Sequence, residues 1–352
     1  MTIHTFEVSS NITNFEYYTI QKELKTKEPS SWRAQKNGMQ YWGLSHEGIL
    51  ITMYQVKKKD FYTYYIIYRI SARRVMDNTN YVGLFDVKKY PVLEDKVNTI
   101  LNDKCQYFPK LKKCSLKRID FCINALLENQ DQVKAYIKTI KRANIPSKLE
   151  LYEVYDKKSK RKKPTKDDFT VHSSEYVEIS IYNKYMAMKK QGSNVYPQNE
   201  LEKAKNIVRI EIRCLEGKVR ALKKKYNIDT ISEFMSHGKK IGNDLFKYYL
   251  KKICNDGMIY TLKESLKRIE LSGYKQKTML LLKEFLTDAN ESRSVAEIFR
   301  IYKNFYGRSG VKKLVKLLDN IETNYVTVTS ADAKLFNNGC VPTPIELFKE
   351  YK

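Results

Sequence analysis

The 352-residue chain is short of acid: 40 Asp plus Glu stand against 65 Lys plus Arg, a formal charge of +25. It is also short of histidine, with only His4, His46, His172 and His237, and its six cysteines (Cys105, Cys114, Cys122, Cys214, Cys254, Cys340) form no C-x-x-C pair. Cysteines scattered in this way argue against a disulfide scaffold or a cysteine zinc site and fit reduced thiols in a cytoplasm. No run approaches the roughly 20 apolar residues of a spanning helix. The opening MTIHTFEVSS lacks the basic-then-apolar layout of a signal peptide.

What is present is a 42% hydrophobic fraction, enough for a real core, with room for roughly two domains. The positive charge is spread along the chain: +14 before Lys218 and +11 from Lys218 onward. Such an excess bears on partners and not on fold. Nucleic acid comes first, because phosphate neutralisation drives its binding, and a membrane surface second.

The first hundred residues read as strands, with MQYWGLSHEGILITMYQV and FYTYYIIYRIS separated by the charged turn KKKD. Lys117 to Asn124 reads as a further strand, followed by an amphipathic helix with Val133, Tyr136, Ile137 and Ile140 at helical spacing. LELYEVYD then leads into KKSKRKKPTKDD, which reads as an exposed loop between strands. EYVEISIYNK and NIVRIEIRC are two more strands, and beyond Leu215 the texture turns helical. An α+β fold is expected, with one boundary giving segments 1–216 and 217–352. Near the end, Val295, Ile298, Phe299, Tyr302 and then Val311, Leu314, Val315, Leu318 mark two helices. Gly307 and Gly310 bracket the turn, and Ser294 with Glu297 has the pattern of a capping box. The pair has the look of a helix-turn-helix whose second helix carries Lys312, Lys313 and Lys316, or equally of an ordinary helical hairpin with a solvated basic face.

Three strands share one chemistry. The period-2 rule puts Ile119, Phe121 and Ile123 on one face and Arg118, Asp120, Cys122 and Asn124 on the other. In the same way Glu178, Ser180 and Tyr182 oppose Val177, Ile179 and Ile181, and Arg209, Glu211 and Arg213 oppose Val208, Ile210 and Ile212. Any one of these is ordinarily a half-exposed strand. Together, if the strands are neighbours, Asp120, Glu178 and Glu211 converge as an oxygen-rich site suited to Mg²⁺ or Mn²⁺. A tyrosine beside such an ion could attack phosphorus.

The ordered segments K-R-I-D-F-C-I-N, I-S-I-Y-N-K and V-R-I-E-I-R-C-L resemble the pattern of rolling-circle replication initiators, above all the plasmid replication-initiation-factor family with its relaxases, and the related replication proteins of filamentous phages. The resemblance covers about residues 115 to 225. It implies an antiparallel-sheet, nicking-endonuclease-like catalytic domain followed by an α-helical, helix-turn-helix-like DNA-binding domain. The implied activity is metal-dependent nicking and closing of one strand at an origin of a plasmid, phage or integrative element, through a 5′-phosphotyrosyl intermediate. Tyr182 would be the nucleophile, with Tyr185 as its rival. Asp120 and Glu211 would be metal ligands or supports of the metal site. Lys184 would pair with a phosphate or with the leaving oxygen. The histidine-hydrophobic-histidine motif of many rolling-circle nucleases is absent, which leaves carboxylates, Glu178 among them, and His172 to hold Mg²⁺ or Mn²⁺. An unassisted phenol, with a pKa near ~10, is a poor nucleophile.

Lys160, Arg161, Lys162 and Lys163 of the basic loop, Arg209 and Arg213 of the sheet, and Arg308, Lys312 and Lys313 of the helical part are the expected DNA contacts. The expected partners are origin duplex and single strand, a host helicase and polymerase and a second copy of the chain, in a bacterial cytoplasm without membrane attachment. A non-catalytic origin- or operator-binding protein explains the charge and the helical pair equally well. An RNA-binding protein or a nuclease using water is a third reading.

Overall fold

Strands form where apolar and polar residues alternate and one face can be buried. In a computed structural model of the protein, residues 2–36, 38–78, 81–156, 161–165, 167–173, 175–191 and 196–351 are described. The chain divides into two compact units, one made of Met1–Cys122, Ser174–Glu178 and Glu211–Asn243, the other of Ile123–Ser173, Ile179–Ile210 and Asp244–Lys352.

The first unit contains β1 (Thr2–Ile12), β2 (Trp32–Gln35), β3 (Gly38–Tyr41), β4 (Ile49–Lys58), β5 (Phe61–Ser71), β6 (Phe85–Asp86) and most of β7 (Ser115–Leu126). Their hydrogen-bonded order is β2-β3-β4-β5-β1-β7, with β6 also on β1, and each pairing is antiparallel. The expected charged turn joins β4 to β5, with Lys58 opposite Phe61. One sheet face buries Phe6, Val8, Ile51, Met53, Ile66, Tyr68 and Ile70. Helices Asn14–Lys27 and Tyr90–Lys104 face that side, as the ring contacts Tyr17–Tyr64 (5.0 Å) and Phe6–Tyr90 (6.4 Å) show.

The second unit takes the end of β7, then β8 (Glu150–Leu151), β9 (Glu153–Asp156), β10 (Arg161–Pro164), β11 (Asp168–His172), most of β12 (Val177–Asn183) and the first half of β13 (Ile207–Cys214). The strand order continues β7-β13-β12-β11-β8. The helix Gln130–Ile140 buries Val133, Tyr136, Ile137 and Ile140, the set its periodicity predicts. Part of the basic stretch is strand: Arg161–Pro164 forms β10 and pairs antiparallel with β9, Arg161 opposite Asp156. Lys160 lies outside the described residues.

The expected α+β character is present, as a large antiparallel sheet with many helices. The texture does change at residue 216, where β13 has ended and helix Glu216–Tyr226 begins. Each compact unit nevertheless draws on three chain segments, and β7 lies between β1 and β13, both distant from it in sequence. The two glycine-bracketed helices are joined more tightly than a helix-turn-helix. Helix Val295–Asn320 is interrupted at Gly307 (φ 67°, ψ 176°), a conformation open essentially to glycine alone, while Gly310 stays helical. A one-residue break replaces the three to four residues of that motif. Ser294 caps the helix through Ala296 N–H, but Glu297 accepts from Ser292 and does not close a capping box. No disulfide joins the cysteines, and no described helix is long and apolar enough to cross a membrane.

Candidate active site

The alternation in β7 places Ile119 and Phe121 in the core and Arg118 and Asp120 on the opposite face. That face is not a solvated one. Asp120 is 1% and Glu211 5% exposed, so each carboxylate needs a partner. Arg118 grips Asp120 with two hydrogen bonds, Nε to Oδ1 at 2.8 Å and Nη2 to Oδ2 at 2.6 Å. Its Nη1 donates to Glu7 Oε1 at 3.1 Å, and Glu7 also accepts from Arg69 Nε at 2.5 Å. Arg213 joins the three carboxylates that the strand faces predict: Glu178 at 2.6 Å, Glu211 at 3.4 Å and Asp120 at 3.4 Å.

Charge and burial compete here. Burial raises the Asp120 carboxyl above its ordinary range, and nearby Glu211 adds to this against the pull of Arg118 and Arg213. Burial pulls the Arg118 guanidinium down, but its bonds and attraction to Asp120 outweigh that and raise it. The cluster is an interlocked set of acids and guanidinium groups, each of which makes the burial of the others tolerable.

The pairing of β1 with β7 shifts register between Ile3 and Phe6: Ile3 lies opposite Phe121 and Phe6 opposite Ile119, so His4 and Thr5 together face the single residue Asp120. Such a bulge re-aims a side chain. His4 Nδ1 comes to 4.0 Å from Glu211 Oε2. His4, Cys122 and Glu211 each offer a ligand atom within 4.8 Å of the others. The sequence pattern does not single out His4 or Glu7. Glu7 carries the alternation signal in F-E-V-S, but straight alternation assigns His4 to the side of Phe6 and Val8.

Of the four expected metal ligands, only Glu211 belongs to this trio. Asp120 and Glu178 have their oxygens engaged by guanidinium groups. His172 ends β11 in the second unit, half-buried, edge-on to Tyr152 at 5.8 Å. Arg209, expected to touch DNA, is fully buried, and its Nε donates to Asn124 Oδ1 at 2.8 Å. Its burial screens it from a phosphate arriving from solvent. Arg213 is committed to its carboxylates.

Tyr182 is half-buried and shares the polar face of β12 with Glu178 and Ser180. Asn183 ends the strand by capping helix Lys184–Lys189 through Met186 N–H and donating to Gln130 Oε1 at 3.1 Å. Lys184 is buried at the start of that helix, away from open solvent. Tyr185 is half-buried with the Lys189 ammonium 4.9 Å over its ring. Arg308, Lys312 and Lys313 are exposed, while Val311, Leu314 and Leu318 are buried. Arg161, Lys162 and Lys163 lie on β10. A cavity of about 670 Å³ in the second unit, lined by Leu126, Met258, Phe336 and Tyr351 among others, contains none of the expected site residues.

No protein-family model matches the chain, and no curated protein matches it. Among solved structures, a rolling circle replication initiator protein from Geobacillus stearothermophilus is similar at a TM-score of 0.28 and 10% identity, over 63% of this chain and 76% of that one. A likeness of that size fixes neither fold nor activity.

Proposed function

We propose that the chain is a DNA nicking and closing enzyme of the rolling-circle initiator type. The observation that carries this reading is the gathering of Asp120, Glu178 and Glu211 by Arg213 on one face of the sheet, with His4 and Cys122 beside Glu211. Two of the three ordered motifs that resemble initiators supply Asp120 and Glu211, and Glu178 directly precedes the other, I-S-I-Y-N-K.

The donors fit a divalent ion in part. His4 and Glu211, with Cys122 beside them, would hold it, and a mixed nitrogen, oxygen and sulfur set suits Mn²⁺ better than Mg²⁺, which prefers oxygen alone. Bound there, the ion would supply positive charge against a phosphate oxygen. Tyr182, on the same face of β12 as Glu178, is the nucleophile of this reading. Its phenolic oxygen forms the new bond to phosphorus as the bond to the 3′ oxygen breaks. The phenol loses its proton, and the departing 3′ oxygen gains one to become a hydroxyl. In this reading Lys184 assists the departing oxygen, and Tyr185 is the competing nucleophile. Arg118 and Arg213 orient the acids. The exposed Arg308, Lys312 and Lys313, with Arg161 to Lys163, grip the phosphate backbone.

The test is incubation with supercoiled origin DNA and Mn²⁺, followed by denaturing electrophoresis and peptide mapping. A covalent adduct on Tyr182, lost in Tyr182→Phe with duplex binding retained, is expected. Binding without any adduct sinks the catalytic reading, and an adduct on Tyr185 moves the nucleophile.

A second reading, a DNA-binding protein without catalysis, is favoured by one observation: guanidinium groups already engage Asp120, Glu178 and Glu211, as they would in a purely structural network.

A further inference from the structure

In the first unit, a cleft of about 640 Å³ opens between helix Asn14–Lys27 and the β2–β5 strands, well within the size range of ligand sites. Its aromatic wall is unusual. Tyr18 and Tyr62 are 47% and 48% exposed, yet their rings lie 6.0 and 6.5 Å from that of Tyr64. Large rings gathered at a surface and left open are ready to stack on another flat, apolar face.

The floor supplies amides. Gln55 Nε2 lies within hydrogen-bond reach of the hydroxyls of Tyr18 (3.4 Å) and Tyr64 (3.5 Å), and Gln35 donates to Gln40 at 3.2 Å. Gln21 donates to the Met39 sulfur. All three are thus held through nitrogen, and their Oε1 atoms accept no hydrogen bond among the described residues. Amide acceptors beside aromatic faces match the donors on the edge of a nucleobase.

Charge selects the ligand further. The hairpin tip beside the cleft is Lys57-Lys58-Lys59, with Lys58 and Lys59 exposed and Asp60 as its acid. Tyr18 also lines a second hollow with Phe15, which is 65% exposed, and Lys22. One ring shared by two adjoining hollows, each flanked by lysine, suits successive bases and phosphates of a strand. A duplex keeps its base faces stacked and offers nothing to these rings.

We propose that this cleft binds unpaired bases of a single DNA strand, with Tyr18 and Tyr62 as the stacking residues. The proposal rests on DNA as the partner of this chain but not on tyrosine chemistry.

The experiment measures binding of a fluorescein-labelled oligothymidylate and of a hairpin duplex by anisotropy, in EDTA so that no strand is cut. Tyr18→Ala with Tyr62→Ala should weaken single-strand affinity by at least about tenfold, as loss of base stacking does. Tyr18→Phe with Tyr62→Phe, which keeps the rings, should stay within about twofold, and duplex affinity should not change in either. Irradiation of the wild-type protein with a 5-bromodeoxyuridine strand should crosslink peptides containing Tyr18 or Tyr62, which decides the matter even if the alanine variant does not fold. Unchanged affinity in a folded alanine variant, equal loss on duplex, or crosslinks confined elsewhere would overturn the proposal. Absence of any DNA binding overturns the partner assignment itself, whereas single-strand binding without adduct formation leaves this cleft standing and removes only the catalytic reading.

Discussion

The β1–β7 face and the helix that follows Gly307 are both rich in charged residues, but they keep them in opposite states. On the sheet, Arg118 and Arg213 are turned inward and satisfied by Glu7, Asp120, Glu178 and Glu211. On the helix, Arg308, Lys312 and Lys313 stand in solvent while Val311, Leu314 and Leu318 hold the core. The contrast separates two roles that net charge alone merges. Buried charges fix geometry and are costly to break, whereas exposed ones create a field that salt can screen.

The sharpest way to break this contrast is Arg213→Ala, which leaves three carboxylates short of a cation. It should destabilise the protein by about 3–5 kcal/mol, as orphaned buried ion pairs do, read as a lowered urea midpoint. A loss under about 1 kcal/mol would show the cluster to be solvated. Next, Gly307→Ala forces a side chain into a glycine conformation at a point where space is open. The strain should cost about 1–3 kcal/mol, read as a lowered urea midpoint.

Lys312→Ala with Lys313→Ala should leave stability within about 0.5 kcal/mol. The slope of log affinity for DNA against log salt should fall by about two, roughly one for each phosphate that is no longer neutralised. An unchanged slope would remove this helix from the DNA-binding surface.

The smallest effect is expected at a surface pair in the second unit, Lys138 with Asp332 at 2.7 Å. Burial pushes the Asp332 carboxyl up, but hydrogen bonds from Lys138 and Thr329 outweigh it and hold the group below its usual range. A depressed carboxylate contributes stability above its unfolded pKa and loses it as pH falls through the folded one. Lys138→Ala should therefore cost at most about 1 kcal/mol at neutral pH, and the difference from wild type should shrink in an acid denaturation series as the pH falls through the lowered folded pKa of Asp332.

The amphipathic sequences of β7, β12 and β13 made their faces legible, because an alternating strand has only two sides on which to sort its residues. Asp120, Glu178 and Glu211 were assigned to one chemistry on that basis, and Arg213 touches all three. His4 was not legible in this way, since one extra residue in β1 reverses the side on which a residue lies, and only the pairing with β7 reveals it. Arg209 failed for another reason: alternation gives the face of a residue but not how deeply that face is covered. The turn at Gly307 was visible as a glycine, but its reduction to a single residue was not.

The sequence by itself therefore determined the charge, the strand and helix texture and the polar faces, all of which follow from local periodicity and composition. The tertiary structure decided which acids are locked by arginine, that His4 and Cys122 join Glu211, and that Tyr18 and Tyr62 flank an open cleft. Those outcomes depend on strand register and burial, which arise only when segments far apart in the chain are brought together.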